Sequence, residues 1–568
     1  MNFLQAFWMT LRWRPAQALA GLYWHVTRRR VRARNRLREG AAGAPHAYDL
    51  WIDTVEQPRS QALKSNSGGE DGPFFTLILP SDADTDAARR IVSVLERQSY
   101  PNWELIGPAR SLAPLRNERI RGVDEVGFAQ SFQDASGDFV VPLRPGVIPS
   151  IDALHHLADG VRRHPDAAIL YGDQDLLTAK GRRKQPWFKP AWDREMFLAQ
   201  DYLIDAFAMK TTLARSSARG GASLTEVLLG AVAASRDDEI AHVPAILSHR
   251  EEASARANDD RLDAVEASIR AAGGTASDGP FGTIKVDWPL PSDLPAVSIV
   301  IPTRDKVELL RPCVESVLAK TDYPNFEVVV VDNGSSDPAA LDYLKQIARQ
   351  PQVRVIEDHR PYNYSAINNA AVAATDSPFV CLLNNDTEVR TPEWLSELMR
   401  HASRPDVGAV GAKLLYEDMT IQHAGVVVGV CEAAGHAHRF VRNDEAGYFA
   451  QPHITHRVSA VTAACMLVDR AKFDAVGGLD EDGLAVAFND VDFCLKLERA
   501  GWRNIYVPHA VLLHHESKSR GLDTTPAKRS RYMGELSVLQ TRWGTKNYRD
   551  PRLNPNLDRY SESFILKF

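Results

Sequence analysis

Cysteine is scarce in this chain: only five occur among 568 residues, all in the second half, and no two form a CxxC pair. A disulfide framework or a structural zinc site needs more cysteines in closer groups, so both are excluded. Buried thiols in a reducing compartment are the remaining interpretation, and we expect the protein to act in the cytoplasm. The five are Cys313, Cys381, Cys431, Cys465 and Cys494.

Long apolar runs and an excess of positive charge are also missing. No stretch stays apolar for the roughly 20 residues that a membrane-spanning helix needs. No signal peptide is visible, because Arg12 and Arg14 interrupt the early apolar residues. The net charge of -6 excludes a chain-wide basic surface, so nucleic acid is not expected as a partner.

The first 40 residues depart from this background, since they contain nine arginines and a single acid, Glu39. Aromatic and aliphatic residues are frequent at positions 3–24, and seven of the arginines follow at positions 28–38. A basic, aromatic-rich amphipathic helix is typical of segments that lie in a membrane interface and bind anionic lipid. The alternative is a helix packed on the protein, followed by a solvated arginine tail, and the pattern does not separate the two.

An internal repeat is the strongest pattern in the sequence. The motifs SVL and YPNWE at 93–104 return 223 positions later as SVL and YPNFE at 316–327. Apolar, β-branched runs and helical patterns alternate in the same order in both copies. The chain therefore contains one domain plan twice.

The acids of the second copy have no counterparts in the first. At the same offset Asp332 aligns with Ala109, and at an offset of 240 Asp386 aligns with Gly146. No residue of the first copy aligns clearly with a catalytic base. One working site and one vestigial site are the simplest interpretation.

Alternating β-rich and helical segments are typical of α/β domains with largely parallel sheets. We predict an α/β fold with two tandem Rossmann-like domains, the first degenerate, flanked by an N-terminal basic helix and a C-terminal helical and coil extension. The predicted segments are a basic amphipathic segment at 1–56, a flexible linker at 57–73, the degenerate domain at 74–255, a connection at 256–295, the catalytic domain at 296–520 and the extension at 521–568.

Two acids follow predicted strands in the second copy. Asp332 ends the run 328–331, and Asp386 follows the run 379–383 in the string NNDTE. Ligands of open α/β sheets bind at the carboxyl ends of strands, although a single acid there can also serve only as a turn residue. Carboxylate and amide oxygens bind divalent cations that bridge phosphates. Together the two acids indicate a nucleoside diphosphate and its metal ion.

Two further elements contribute titratable groups. Asp490 and Asp492 begin a predicted helix, and because only one of them is needed as its N-cap, the other can point into a site. His514 and His515 end a predicted strand, where a histidine can be a metal ligand, a base or only a polar end group.

The second copy resembles glycosyltransferase family 2, whose fold is called GT-A. The strings that carry the resemblance are IVIPTRD at 299–305, VVDNGS at 330–335, LLNND at 382–386, GGLDE at 477–481, NDVDFCL at 489–495 and HHES at 514–517. Longer strings, PYNYSAINNA at 361–370 among them, resemble a two-module bacterial subgroup that builds surface polysaccharides of the rhamnan and O-antigen type. The resemblance covers residues 74–560.

The resemblance implies a role for each matching residue. Asp490 is expected to be the general base, and Asp386 to bind Mg or Mn together with His514, or less readily His515. Asn384 and Asn489 stand where the family has acids, and Asn384 leaves fewer charges for the metal ion. The expected donor-binding residues are Pro302, Thr303, Asp305, Asp332, Asn333, Asn369, Asn384 and Asn385. On the acceptor side we expect Thr462, Ala463 and Asn489.

The implied function is inverting transfer of a sugar, with dTDP-rhamnose as one donor candidate, from a nucleoside diphosphate to a hydroxyl of a growing surface glycan or lipid-linked glycan. Peripheral contact with the inner membrane through residues 1–40 is one interpretation of the basic segment. A carbohydrate- or nucleotide-sugar-binding protein without turnover is the alternative, because of Asn384 and Asn489. A third hypothesis makes both copies active. The first copy, which retains His249 opposite His514, is expected to hold the acceptor or to serve as a scaffold.

Overall fold

The structure is a computed structural model that describes residues 3–27, 30–66, 72–115, 117–123, 127–218, 222–253, 260–515 and 525–568. The chain forms two compact units. The first contains Met1–Ala271, Leu553–Asp558 and Ile565–Phe568, and the second contains Ala272–Arg552 and Arg559–Phe564.

The first unit contains a nine-stranded sheet surrounded by helices. Its helices are α1 (Phe3–Trp13), α2 (Pro15–Val26), α3 (Arg30–Ala42), α4 (Ala47–Trp51), α5 (Gln57–Asn66), α6 (Thr85–Leu95), α7 (Ala109–Leu112), α8 (Phe128–Asp134), α9 (Ala153–Arg163), α10 (Arg194–Ala199), α11 (Thr211–Ser217), α12 (Leu224–Ala234) and α13 (Arg261–Ile269). Its strands are β1 (Phe75–Ile78), β2 (Trp103–Pro108), β3 (Ile120–Val123), β4 (Phe139–Pro142), β5 (Val147–Pro149), β6 (Ile169–Leu177), β7 (Arg183–Trp187), β8 (Phe207–Lys210) and β9 (Ile240–Glu251).

The second unit is built around a ten-stranded sheet. Its strands are β10 (Thr275–Asp278), β11 (Ile284–Asp287), β12 (Val297–Thr303), β13 (Phe326–Asp332), β14 (Val353–Glu357), β15 (Phe379–Leu383), β16 (Thr387–Val389), β17 (Val407–Leu415), β18 (Ile421–His423), β19 (Val426–Val428), β20 (Ala434–His436), β21 (His456–Val458), β22 (Cys465–Asp469) and β23 (Arg503–His514). Its helices are α14 (Val307–Lys320), α15 (Pro338–Ile347), α16 (Tyr364–Ala373), α17 (Trp394–Ala402), α18 (Arg470–Ala475), α19 (Asn489–Arg499) and α20 (Pro526–Trp543).

The two large sheets have the same topology. The first has the order β3-β2-β1-β4-β8-β6-β9-β5, and the second has the order β14-β13-β12-β15-β22-β17-β23-β16, so each of these eight strands has a counterpart. In both sheets the first four strands of this order are parallel and the fifth is antiparallel. The predicted pair of tandem GT-A domains is confirmed.

The burial of the central strands explains why they could be predicted from runs of apolar residues. Each residue of the run 328–331 in β13 is almost fully buried, as expected for a central parallel strand covered on both faces. The parallel strands β12, β13 and β15 run in one direction, so their carboxyl ends, at Thr303, Asp332 and Leu383, meet at one edge. That edge carries the candidate site.

The linker expected at 57–73 is corrected by the structure over its first part. Gln57–Asn66 is the helix α5, and residues 67–71 lie outside the described ranges. Lys64 pairs with Asp152, and Ser60 contacts His156, so α5 packs on α9. Tertiary contacts outweigh the weak local preference of this polar, serine-containing stretch.

Two other expectations need adjustment. The single N-terminal basic helix is instead a set of consecutive helices, α1 to α4. All five cysteines are free thiols, as expected, but Cys431 is exposed rather than buried. The boundary between the units lies within the predicted connection at 256–295, with α13 on one side and the β10–β11 hairpin on the other. Among the described helices none is both long and apolar enough to span a membrane.

Candidate active site

A cavity of about 460 Å³ lies at the carboxyl edge of the second sheet. Ligands of open α/β sheets bind at this edge. The lining comes from the loops after β12, β13 and β15, the start of α16, the segment before β22, the start of α19 and the end of β23. The lining residues are Pro302, Thr303, Arg304, Lys306, Asn333, Tyr362, Tyr364, Ile367, Asn384, Asn385, Asp386, Thr462, Ala463, Ala464, Val486, Phe488, Asn489, Asp490 and His514.

Eleven of the 14 site residues expected from the sequence line this cavity, so the motifs converge although they are spread over more than 200 positions. The other three, Asp305, Asp332 and Asn369, are not among the lining residues. Asn369 accepts a hydrogen bond from the amide of Leu479 and donates one to the carbonyl of the same residue. It therefore holds the Gly-Gly-Leu-Asp-Glu loop rather than facing the cavity.

Asp332 and Asp305 organise the loop after β13. One oxygen of Asp332 accepts hydrogen bonds from the amide and the hydroxyl of Ser335, at 3.0 and 2.5 Å. Asp305, whose backbone has a φ of 53°, accepts from the amides of Ser336 and Asp337 at 2.7 and 2.8 Å. These amides lower the pKa of the Asp305 carboxyl below its ordinary value. Both acids fix the backbone that carries Asn333 into the cavity.

Asp386 and His514 face each other on one side of the cavity. The distance from Asp386 Oδ1 to His514 Nε2 is 3.3 Å, and both residues are buried. His514 Nδ1 is buried and has no hydrogen-bond partner among the residues that the structure describes. One carboxylate and one imidazole suit a divalent cation that takes its remaining ligands from phosphate and water. No cluster of three such side chains occurs in the described ranges.

His515 points elsewhere. Its Nδ1 lies 2.6 Å from Glu417 Oε1, and its amide donates to the carbonyl of Asp386 at 2.9 Å. Of the two histidines only His514 is among the lining residues, which favours His514 as the metal ligand.

Asp490 lies on another side of the cavity, in the first turn of α19. Its Oδ2 accepts from the amide of Ala463 at 3.2 Å, and its Oδ1 accepts from the amide of Val491 at 2.9 Å. Burial raises the pKa of this carboxyl above its ordinary value, against the opposing effect of the Ala463 amide. A desolvated carboxylate with a raised pKa is a stronger base than an exposed one.

Asp492, two residues further along α19, is occupied by structural contacts. Its Oδ1 accepts from Arg542 and from the indole of Trp543, each at 2.8 Å, and Lys496 lies 3.7 Å from its Oδ2. All three partners belong to α19 or α20. The competition between the two acids is therefore resolved: Asp490 faces the cavity and Asp492 anchors α20.

Asn384 and Asn489, which stand where the resemblance leads one to expect acids, both form hydrogen bonds with neighbouring residues of the site. Asn489 accepts from the amide of Asp490 at 2.8 Å and donates to Ser365 Oγ at 3.2 Å. Asn384 accepts from the hydroxyl of Tyr364 at 3.2 Å. Both side-chain amides are thus hydrogen-bonded within the site without adding charge. The smaller number of charges at these positions is therefore compatible with the packing of the site.

Two residues that contribute to the site were missed by reasoning from the sequence. Tyr364 lines the cavity, and its hydroxyl also donates to the carbonyl of Ala463 at 3.2 Å. Glu535 in α20 accepts from the amides of Val486 and Ala487 at 2.9 and 3.1 Å and so fixes the loop before α19. The motif PYNYSAINNA contained Tyr364, but no local signal connects Glu535 with residues 49 positions away.

The edge of the first unit that corresponds to the candidate site carries an ion pair. Strand register places Arg144 where the second unit has Asn384, and Asp205 where it has Ala464. Arg144 Nη1 lies 3.1 Å from Asp205 Oδ1, so a guanidinium and a carboxylate are paired at this edge.

The expected correspondence of His249 with His514 is wrong by one residue. In the first sheet Val147 pairs with Arg250, and in the second the equivalent residue, Thr387, pairs with His514. Arg250 therefore occupies the position of His514, 3.8 Å from Asp205. Side chains alternate faces along a strand, so this shift moves the histidine to the other face.

The surviving acids of the first copy have structural partners. Asp175 accepts from Tyr48, Arg183 and His249, each at 2.6 Å. Asp173 is likewise buried and accepts from His242 and Asn554. These bonds tie α4 and the C-terminal tail of the first unit to β6.

The family model for Glycosyl transferase family 2 matches residues 298–465, which contain most of the site. The O-antigen biosynthesis protein RfbC of Myxococcus xanthus is 34% identical over 550 residues, which cover 90% of this chain and 42% of RfbC. The Uncharacterized protein y4gI of Sinorhizobium fredii is 37% identical over 536 residues, which cover 88% of this chain and 59% of that protein.

A third relative is shorter. The N-acetylglucosaminyl-diphospho-decaprenol L-rhamnosyltransferase of Mycobacterium tuberculosis is 30% identical over 217 residues, which cover 34% of this chain and 68% of that enzyme. The chain belongs to glycosyl transferase family 2. It spans about half the length of the first two relatives, at 59% and 42%.

Proposed function

We propose that the second unit transfers a sugar from a nucleoside diphosphate to a hydroxyl group of a growing cell-surface glycan, with inversion at the anomeric carbon. The observation that carries the proposal is the cavity with Asp490 on one side and the Asp386–His514 pair on another. Family membership and the names of the relatives support the same class of reaction.

In this proposal Asp490 accepts the proton of the acceptor hydroxyl. The hydroxyl oxygen forms a bond to the anomeric carbon, the bond from that carbon to the diphosphate breaks, and the proton passes to the Asp490 carboxylate. A sugar hydroxyl is a poor nucleophile at neutral pH, and a positioned base contributes about 10²–10⁴-fold. Burial raises the pKa of the Asp490 carboxyl and so brings that pKa closer to neutral pH.

Asp386 and His514 would hold Mg or Mn, with Asn384 beside them. A bound cation would offset the negative charge that develops on the departing diphosphate. The 3.3 Å separation of the carboxylate and the imidazole is that of neighbouring ligands of one ion. Asn333 and Asn385, on the loops after β13 and β15, would contact the nucleotide and its diphosphate.

The names of the relatives suggest which donor and acceptor to test first. dTDP-rhamnose is the first donor to test because one relative is named a rhamnosyltransferase, and UDP- and GDP-sugars are the alternatives. A glycan on a lipid carrier would lie at the cytoplasmic face of the inner membrane, where residues 1–40 would make peripheral contact. The first unit, with the ion pair of Arg144 and Asp205 at the corresponding edge, would act as a scaffold or hold the acceptor without binding a donor.

A nucleotide-sugar screen tests the proposal. Purified full-length chain is heated with dTDP-, UDP- or GDP-sugars and with Mg or Mn, because a ligand at 100 times its Kd stabilises the folded state by about 2.7 kcal/mol. The donor that raises Tm is then incubated with candidate acceptors, and release of nucleoside diphosphate is measured. Stabilisation without turnover across the acceptor panel would favour a sugar-nucleotide-binding protein. No stabilisation by any donor with either metal would contradict both functions.

A further inference from the structure

The two N-terminal helices of the first unit pack with small residues inside. Ala6 and Thr10 of α1 and Ala18 and Gly21 of α2 are buried where these helices meet α3. The approach is close, since a Cβ added at Gly21 would lie 2.7 Å from Leu37 Cδ2. Small residues at such contacts are typical of helices that pack within lipid.

The large apolar residues of these helices point outward. Leu4 and Trp8 lie one turn apart on α1 and are 65% and 64% exposed. Leu19, Tyr23 and Val26 share one stripe of α2 and are 57%, 63% and 73% exposed. Positions 4–26 contain seven of the 13 exposed large apolar side chains in the described residues. A helix hairpin in water buries its large apolar side chains and exposes polar ones, whereas the outer face of this hairpin exposes the large apolar side chains.

Positive charge is concentrated in the same stretch of the chain. Residues 1–40 carry nine arginines against one glutamate, a net charge of +8 in a chain whose net charge is -6. Seven of these arginines follow α2 directly, at positions 28–38, and positions 28 and 29 lie outside the described ranges. Basic residues beside exposed aromatic groups match the headgroup region of an anionic bilayer.

We propose that α1 and α2 lie in the interface of an anionic membrane, with the outer face of residues 4–26 among the acyl chains and the arginines at the phosphates. The helices are 11 and 12 residues long, and at 1.5 Å per residue each covers less than about 20 Å of the roughly 30 Å hydrocarbon layer. They are therefore seated in one leaflet. A second copy of the chain would not account for the charge, because two surfaces of net charge +8 repel each other.

Vesicle flotation tests the proposal with the full chain and no sugar substrate, so its result is independent of the proposed transferase function. The probes are vesicles of phosphatidylglycerol and phosphatidylethanolamine in equal parts, and vesicles of phosphatidylcholine. The variant combines Trp8→Ser and Tyr23→Ser, and Ile151→Ser, at a 45% exposed position outside the hairpin, is the control. Because the replaced side chains are exposed, the variants should keep the wild-type Tm.

We expect wild type and control to float with the anionic vesicles, less so with phosphatidylcholine and at high salt. The double variant should lose at least about 10-fold in vesicle affinity, since each large apolar side chain moved out of water accounts for about that factor. Equal flotation of the double variant would overturn the proposal. So would failure of the wild type to float, or a dimer, detected by light scattering, that the double substitution dissolves. Equal binding to both kinds of vesicle would overturn the role of the arginines.

Discussion

Asp490 and Asp492 lie two residues apart in α19, yet their substitution should have opposite consequences. Asp490 lines the cavity, whereas Asp492 contacts Arg542 and Trp543. Replacing each by asparagine keeps the shape and removes the charge. We expect Asp490→Asn to abolish transfer and keep the fold, and Asp492→Asn to weaken the fold and keep transfer.

The magnitudes follow from the contacts. Loss of a general base lowers kcat by about 10²–10⁴-fold, which is about 3–6 kcal/mol in the activation barrier. The stability of Asp490→Asn reflects two opposing effects: a buried charge is removed, and one of the amides of Ala463 and Val491 loses an acceptor, which costs about 1–3 kcal/mol. In Asp492→Asn the guanidinium of Arg542 loses a charged partner, and hydrogen bonds to charged groups contribute about 1.5–3 kcal/mol.

The assay pairs donor turnover with thermal unfolding of the same preparations. For Asp490→Asn we expect unchanged donor binding by calorimetry, a Tm within a few degrees of wild type, and no nucleoside diphosphate released above background. Asp492→Asn should unfold several degrees lower and retain kcat within about 10-fold below its transition. Turnover near the wild-type rate in Asp490→Asn would refute its assignment as the base. Loss of turnover in Asp492→Asn alone would place the base there instead.

Three further outcomes are expected. Asp386→Ala should remove the dependence of donor binding on Mg or Mn in titration calorimetry, and an unchanged titration would sink that ligand assignment. Burial raises the pKa of Asp490, so the acid limb of the kcat/KM profile should lie at a higher pH than for an ordinary carboxyl. The same shift makes ionisation of Asp490 unfavourable in the folded state, so wild type should lose stability as pH rises above about 3.9. Asp490→Asn should therefore show a smaller loss of Tm over that interval than wild type. Glu535→Gln should raise the KM for the sugar acceptor about 10-fold and leave donor affinity unchanged. The reason is that the backbone amide of Val486 or Ala487 loses its hydrogen-bond partner, which costs about 1–3 kcal/mol. An altered donor affinity with a normal KM for the sugar acceptor would contradict this.

Strand ends were predictable because parallel strands have a simple signature. The apolar run 328–331 identifies β13, and the polar residues that follow it must lie at the carboxyl edge of the sheet. Asp386, which follows the apolar strand β15, could be placed at this edge in the same way, and both predictions need only local periodicity and the position of a polar residue after it. Asp490 lies in the first turn of a helix, so its role was predicted from the family resemblance instead.

Features that depend on distant contacts could not be predicted. The helix α5 has weak helical preference and depends on α9, and the occupation of Asp492 depends on α20, which begins 34 residues later. The error at His249 has a different cause. The two histidines look equivalent in the sequence, but pairing with the neighbouring strand assigns Arg250 rather than His249 to the position of His514, and a difference of one residue changes the face of the strand.

The first unit differs from the second at this edge by more than a loss of acids. At the positions of Asn384 and His514 it carries Arg144 and Arg250, and both approach Asp205. A guanidinium is permanently charged and cannot leave with a diphosphate as a metal ion can, so a fixed ion pair would stand where the proposed function places an exchangeable cation. The sheet retains its strand order because apolar strands, rather than these polar edge residues, form its core. Charged residues at the strand ends can therefore differ between the two sheets while the fold persists.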